Sequence, residues 1–172
     1  MTDTTEMSRV ASVDARPPEA DAALILADGT VIWGRGAGAA GSAVAEVCFN
    51  TSLTGYHEIL TDPSYAGQII NFTFPHIGNV GTNPEDVETI TPAARGAIMR
   101  MDITDPANWR AAKHLDEWLK SHDLTALTGV DTRHLTRLIR DQGAPSGVIA
   151  YAPGAGDSLD LTALQKQAAD FA

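Results

Sequence analysis

The most regular hydrophobic pattern in the chain is an alternation over residues 68–74, which places Ile70, Phe72 and Phe74 on one face. A period of two residues is typical of a β-strand, because successive side chains point to opposite faces of a sheet. We therefore predict a strand that ends at the Pro-His pair following it. Shorter apolar runs predict further strands at residues 96–101, 124–128 and 147–151.

Two apolar runs near the start of the chain, residues 22–27 and 30–33, are separated by Asp28 and Gly29. An Asp-Gly pair between such runs predicts a β-hairpin, because the favoured two-residue turns need positive φ angles. Residues 43–49 fit either the apolar stripe of a helix or one face of a strand. Their β-branched residues and the Asn-Thr-Ser that follows favour a strand.

Helical periodicity dominates the second half of the chain, over residues 108–122 and 132–142. Asp131 is predicted to cap the second of these helices, and Gly143 to end it in a left-handed conformation. A final Ala-rich helix is expected to begin near Leu159 and to run into the C-terminus without a stop signal, as if the chain were cut. Hairpins early and helix-strand alternation late predict an α/β domain with a mixed arrangement of strands.

Charge and length narrow the possible functions. The chain has 172 residues and a net charge of -10, which argues against nonspecific binding to nucleic acid or to an anionic membrane. No apolar run approaches the roughly 20 residues needed to cross a bilayer, and the N-terminus lacks the pattern of a secretory signal. We expect a cytoplasmic protein of one domain, preceded by a disordered arm at residues 1–21.

A glycine-rich segment offers one candidate ligand site. Gly36, Gly38 and Gly41 match the G-x-G-x-x-G pattern of dinucleotide-binding sites and follow a predicted strand. Such a site needs a parallel strand that leads into a helix, whose N-terminus holds the pyrophosphate. Here the preceding strand is predicted to pair in a hairpin, and the following segment favours a strand. A nucleotide-binding module is therefore the alternative interpretation, carried by a motif that is weak on its own.

Three other features are candidates for chemistry or binding. Cys48 is the only cysteine, and its apolar neighbours predict a buried, inert thiol rather than a nucleophile. His76, between Pro75 and a glycine-rich loop, either faces a ligand or hydrogen-bonds to loop carbonyls. No pair of histidines has the spacing of a short zinc motif. One face of the second long helix carries a basic row, either a docking surface for an acidic partner or a solvated face: Arg133, Arg137 and Arg140.

Long motifs in the chain resemble the N-terminal domain of the small, glutamine-using subunit of carbamoyl phosphate synthetase. They are FNTSLTGYHEILTDPSYAGQII, FPHIGNVGTN and DTRHLTRLIR, while LADGT and GAAGSAVAEV fit the opening hairpin and loop of that family. The resemblance covers residues 24–149. We therefore expect an arm at residues 1–21, the family domain at residues 22–152, and at residues 153–172 a linker with the start of a truncated helix.

The resemblance implies a three-layer β/β/α domain with a parallel central sheet, a second antiparallel layer, and helices on the other side. It also implies an activity, in which the small subunit hydrolyses glutamine and passes ammonia to the large subunit. The large subunit uses bicarbonate and two ATP to make carbamoyl phosphate for pyrimidine and arginine synthesis. No cofactor is expected in this chain, whereas ATP and magnesium or manganese are expected in the large subunit. The resemblance also implies that the two subunits form a heterodimer.

The resemblance assigns one ligand contact to this chain. In the family, the serine of the TDPSY motif reaches across a domain boundary to the glutamine pocket, and here that serine is Ser64. The glutaminase domain, with its nucleophilic cysteine, histidine and glutamate, is expected beyond the present C-terminus. Cys48 does not replace that nucleophile, because thioester chemistry needs a thiol paired with a histidine. We expect the isolated chain to be inactive alone and to dock on the large subunit.

Overall fold

The computed structural model describes residues 16–154 and 158–171. Within these ranges the chain forms seven β-strands and four α-helices. The strands are β1 (Ala22–Leu26), β2 (Val31–Gly38), β3 (Gly41–Asn50), β4 (Gln68–Phe72), β5 (Gly96–Ile98), β6 (Thr125–Thr128) and β7 (Ser146–Tyr151). The helices are α1 (Tyr56–Thr61), α2 (Leu115–Ser121), α3 (Thr132–Gln142) and α4 (Leu161–Asp170).

All seven strands belong to one closed sheet, in the order β1-β2-β6-β5-β4-β3-β7. Strands β3, β4, β5 and β6 are parallel neighbours, whereas the pairs made by β1, β2 and β7 are antiparallel. The predicted mixed α/β class is confirmed. The three-layer β/β/α description is not confirmed, because β2 pairs with β6 and β7 pairs with β3. These two pairings join the parallel and antiparallel strands into a single barrel.

The first two strands form the predicted hairpin, with Leu24 opposite Ile32. The turn between the two strands has the positive φ and the side-chain hydrogen bond expected of an Asp-Gly pair. Asp28 Oδ1 accepts the backbone N–H of Thr30 at 2.8 Å, and Gly29 has a φ of 91°. A residue with a β-carbon is strained at such an angle, so glycine suits this position.

Strand β4 has both faces buried and ends two residues earlier than predicted. Ile70 and Phe72 pack in a cluster with side chains of α1 and α2. On the opposite face, Ile69 packs in a second cluster that includes residues of α3. Beside it, the buried side chain of Asn71 donates a hydrogen bond to the carbonyl oxygen of Thr132 at 3.0 Å. The alternation predicted from the sequence therefore separates two packing surfaces rather than a core from solvent.

Helix α2 is shorter than the helix predicted over residues 108–122, so the first half of that prediction is wrong. Lys113 forms an isolated β-bridge with Thr82, which prevents a helix from starting earlier. The ring of His114 then accepts the backbone N–H of Asp116 through Nδ1 at 3.1 Å and caps α2. Helical spacing over residues 108–114 could not reveal a bridge to a distant segment.

Helix α3 begins and ends where the sequence predicted. The carboxylate of Asp131 accepts the backbone N–H of His134 at 3.1 Å, which satisfies one of the free donors of the first turn. Gly143 follows the last turn with a φ of 91°, as predicted, but its ψ of 174° is extended and not that of a left-handed helical residue. The buried face of the helix contains Leu135 and Ile139.

The predicted disordered arm falls mostly on residues 1–15, which lie outside the described residues. The last part of that segment is described. Ala20 is buried, and Asp21 Oδ1 accepts the backbone N–H of Gly36 at 2.7 Å. This short segment is therefore tied to β2.

At the other end, α4 begins two residues after the predicted start near Leu159. Asp160 caps it by accepting the backbone N–H of Ala163 at 3.0 Å. Leu161 and Leu164 pack against a cluster that contains Ile25 of β1. No helix within the described ranges is long and apolar enough to cross a membrane.

Candidate functional site

Ser64 is exposed in a 3-10 turn at Pro63–Tyr65, directly before β4. The carboxylate of Asp62 accepts the backbone N–H of Ser64 at 2.8 Å, and the Asp62 carbonyl accepts that of Tyr65 at 3.0 Å. Proline at the first position has its φ already restricted to the value that the turn needs. These contacts hold Ser64 in one backbone conformation while leaving it open to solvent. We call residues 62–66 the Ser64 turn.

The Ser64 turn is anchored to the end of β3. The side-chain amide of Asn50 donates a hydrogen bond to the Tyr65 hydroxyl at 2.9 Å. The amide oxygen of the same residue accepts the backbone N–H of Ser52 at 2.8 Å. Asn50 therefore connects the loop after β3 with the turn that presents Ser64. The Asn-Thr-Ser and Asp-Pro-Ser-Tyr parts of the motif form one contact region.

Two of the long sequence motifs meet at Tyr56 and Gly81. The Tyr56 hydroxyl is buried and donates a hydrogen bond to the carbonyl oxygen of Gly81 at 2.6 Å. Burial raises the pKa of this phenol. A β-carbon on Gly81 would lie 2.6 Å from Cβ of Ala111, so only glycine fits without displacing the neighbouring loop. Both motifs therefore serve the packing of α1 against the following loops.

The glycine-rich segment does not form a dinucleotide site, and the alternative interpretation is wrong on geometric grounds. Gly36 and Gly38 end an antiparallel strand, and the chain continues into β3 rather than into a helix. Their backbone N–H groups donate to protein carboxylates, Asp21 and Asp116 respectively, each at 2.7 Å. A pyrophosphate would have to displace both carboxylates. A β-carbon on Gly36 would also overlap the ring of Tyr151, so this glycine permits close packing.

The single thiol has the character of a structural group, although it is only partly buried rather than buried as predicted. Cys48 is partly buried in β3, and burial, with a smaller contribution from nearby Glu46, raises its pKa to about 11. Such a thiol holds little of the thiolate that nucleophilic chemistry needs.

His76 is exposed, and the centroid of its ring lies 6.2 Å from that of Phe74. Among residues 16–154 and 158–171, no group of three His, Cys, Asp or Glu side chains is arranged to hold a metal ion.

The basic row lies on the exposed face of α3. Arg133, Arg137 and Arg140 are all exposed, whereas Leu135 and Ile139 of the same helix are buried. The predicted division of this helix into a basic and an apolar face is therefore confirmed. The row provides a positive surface on a protein whose net charge is negative.

Two exposed apolar side chains were not singled out in the sequence. Trp109 and Ile90 are 91% and 92% exposed and lie in different loops. Arg110, next to the tryptophan, forms an ion pair with Asp86 at 2.7 Å, which joins the two loops. An isolated large apolar residue within a polar loop is the signal that could have drawn attention to this surface.

Comparison with known families matches residues 24–149 to the family described as carbamoyl-phosphate synthase small chain, CPSase domain. The matched range begins within β1, ends within β7 and includes the Ser64 turn. The chain belongs to the carbamoyl-phosphate synthase small chain family. The resemblance inferred from the sequence motifs is therefore confirmed.

Curated members of this family are similar over most of the chain. The carbamoyl phosphate synthase small chain of Mesorhizobium japonicum is 64% identical over 152 residues, covering 86% of this chain and 38% of that relative. The protein of the same name from Bradyrhizobium diazoefficiens is 60% identical, covering 87% and 38%. That from Agrobacterium fabrum is 58% identical, covering 94% and 40%. The chain thus spans about two fifths of the length of these carbamoyl phosphate synthase small chains.

Proposed function

We propose that this chain is a binding and docking domain of a carbamoyl phosphate synthase small chain. In this role Ser64 closes one side of a glutamine pocket, and the domain docks on the large subunit. The observation that carries the proposal is the Ser64 turn, in which Asp62 and Tyr65 hold an exposed serine in a fixed position. A fixed hydroxyl recognises a polar ligand at a smaller entropic cost than a mobile one.

The proposed reaction of the complete enzyme uses glutamine as its ammonia source, with bicarbonate and ATP, to make carbamoyl phosphate. ATP and its magnesium or manganese belong to the large subunit in this proposal. The raised pKa of Cys48 supports a role for this domain in binding rather than in attack on glutamine. Ser64 would donate or accept a hydrogen bond to glutamine while a cysteine elsewhere in the complete small chain performs the hydrolysis.

Replacing Ser64 with alanine should weaken glutamine use selectively. In a complete small chain that carries this domain, assembled with its large subunit, Ser64→Ala should raise KM for glutamine by roughly fivefold, the value of one hydrogen bond. Synthesis from added ammonia should be unchanged, because the substitution removes a contact with glutamine only. Steady-state carbamoyl phosphate synthesis with each nitrogen source measures both effects.

Ser42→Ala is a matched control, since Ser42 is also exposed but lies on β3 away from the turn. It should leave both activities unchanged. Equal losses of the glutamine-dependent and ammonia-dependent activities in Ser64→Ala would contradict a role in the glutamine pocket.

The basic row on α3 supports docking on an acidic surface of the large subunit. Reversing two of its charges, in Arg133→Glu with Arg137→Glu, should slow association with the large subunit by about tenfold at low salt. Long-range attraction acts mainly on the rate of encounter, so the effect should diminish as salt is added. Stopped-flow association measurements over a range of salt concentrations test this expectation.

A charge-matched control is Arg95→Glu with Lys166→Glu, because both side chains are exposed and lie outside α3. This control has the same net charge as the α3 variant. Equal slowing by the two variants would show that overall charge, and not the row on α3, controls association.

A further inference from the structure

One hydrogen bond joins the Ser64 turn to strand β3. The side-chain amide of Asn50, the last residue of β3, donates to the Tyr65 hydroxyl at 2.9 Å. Among the residues that the structure describes, this is the only hydrogen bond between the turn and a segment other than α1. Tyr65 directly follows Ser64 in the chain, so a restraint on the tyrosine also limits the movement of the serine.

Asn50 is itself held in place by the strand and by the loop that follows it. Its backbone pairs with that of Phe72 in the parallel ladder, and its carbonyl oxygen accepts the backbone N–H of Thr73 at 3.1 Å. Its amide oxygen accepts the backbone N–H of Ser52 at 2.8 Å. Because that N–H can only donate, the amide oxygen must face it, and the NH₂ group is directed to Tyr65. The amide is therefore held in one orientation.

The hydroxyl of Tyr65 adds something that packing alone does not need. The ring is partly buried against the hydrophobic cluster that includes side chains of α1 and β4. A phenylalanine would supply the same apolar ring. The hydroxyl contributes a directional contact with a residue 15 positions away in the chain. This contact fixes the position of the tyrosine relative to β3.

The two ends of the turn are held by a different segment, the loop before β5. The buried hydroxyl of Thr61 accepts the backbone N–H of Glu88 at 3.0 Å, and its carbonyl oxygen accepts the Thr89 hydroxyl at 2.6 Å. On the other side of the turn, the backbone N–H of Gly67 donates to the carbonyl oxygen of Ala93 at 3.1 Å. Loss of the bond to β3 should therefore leave the turn in place but allow its middle to move.

We propose that Asn50 is a positioning residue for the glutamine contact, acting through the Tyr65 hydroxyl on the position of Ser64. This inference rests on the proposed function of Ser64. Capping by Asp62 restrains the backbone of the turn, and the bond from β3 restrains the direction in which the turn presents its serine. When only a fraction of the molecules has the binding geometry, the apparent affinity falls by that fraction.

Tyr65→Phe tests the proposal directly, because it removes the hydroxyl and keeps the ring. In a complete small chain that carries this domain, assembled with its large subunit, it should raise KM for glutamine about threefold. The kcat with glutamine and the synthesis from added ammonia should be unchanged. Asn50→Ala should raise the same KM at least as much. Steady-state synthesis with each nitrogen source measures these effects, and unchanged ammonia-dependent synthesis would show that the variants remain folded.

Tyr151→Phe is a matched control, since it removes a tyrosine hydroxyl at a distant position. Tyr151 pairs with Gly41 at the opposite end of β3 from Asn50, and its hydroxyl makes no hydrogen bond within the described part of the chain. This variant should leave KM for glutamine unchanged. An equal rise in KM for Tyr151→Phe and Tyr65→Phe would contradict a specific role for the contact with Asn50.

Double variants show whether the contact acts through the serine. Tyr65→Phe should have no further effect on KM for glutamine in the Ser64→Ala background, because the hydroxyl that it positions is absent. It should also have no further effect in the Asn50→Ala background, where the contact is already lost. A full threefold rise in either background would overturn the proposal.

The single variants separate this proposal from the proposed function. If Ser64→Ala leaves KM for glutamine unchanged, the proposed function fails, and the positioning role fails with it. If Ser64→Ala raises KM and Tyr65→Phe does not, the glutamine contact stands and the positioning role of Asn50 is overturned.

Discussion

Gly36→Ala should lower the free energy of unfolding by roughly 3 kcal/mol, as expected for overpacking that the surroundings cannot relieve. The added β-carbon would overlap the ring of Tyr151, which packs across β2. The backbone of Gly36 has little room to move away. Its N–H is bonded to Asp21, and it pairs with Leu127 of β6 in the closed sheet. Urea denaturation of the 172-residue chain measures the loss.

A second substitution identifies the cause of that loss. In the Tyr151→Ala background the obstacle is absent, so Gly36→Ala should cost about 1 kcal/mol or less. The two substitutions should therefore show strong favourable coupling in a double-mutant cycle. If Gly36→Ala costs the same with and without the tyrosine ring, close packing is not the reason for glycine at this position.

Acidification from pH 7 to pH 4 should lower the free energy of unfolding by about 3 kcal/mol through His57, at about 1.36 kcal/mol for each pKa unit. Burial lowers the pKa of this ring from 6.5 to about 4 in the folded chain. The unfolded chain therefore takes up a proton below about pH 6.5, while the folded chain does so only near pH 4. Since the unfolded state binds more protons in this window, stability falls as pH falls.

The variant His57→Gln removes the titrating ring and should show a nearly flat stability between pH 6.5 and pH 4. Two paired carboxylates do not interfere in this window. Asp86 accepts from Asn83 and Arg110, and Asp102 from Arg35, and these contacts hold both pKa values below the usual 3.8. Their stabilising contribution is present above the unfolded pKa of 3.8, and it is lost as the pH falls from 3.8 through the lowered values. The same pH dependence in both proteins would show that His57 does not control it.

The sequence correctly predicted helices and turns whose ends are determined by residues close by in the chain. Helix α3 has the predicted ends because Asp131 and Gly143 satisfy the requirements of the first and last turns on their own. The hairpin around Asp28 and Gly29 formed for the same reason. Helix α2 was predicted too long because the bridge between Lys113 and Thr82 depends on a segment far away in the chain.

In the candidate site, too, some contacts are local in sequence and others depend on the tertiary structure. Ser64 stays a prediction that rests on the family resemblance of its motif, since a serine in an Asp-Pro turn has no distinctive chemistry by itself. Its capping by Asp62 is local, whereas its anchoring through Asn50 and Tyr65 depends on the parallel pairing of β3 with β4. The sequence did not indicate that His57 is unusual, because neither its burial nor its lack of hydrogen-bond partners can be determined from neighbouring residues.

By itself, the sequence determined the family, the mixed α/β class and most element positions, because these follow from motifs and from hydrophobic period. Only the tertiary structure decided that the strands close into one barrel and that β4 is buried on both faces. It also decided that the N–H groups of Gly36 and Gly38 are occupied by carboxylates 15 and 78 residues away. Such contacts join segments that are distant in sequence. The pattern of residues around each glycine does not indicate which distant side chain will contact it.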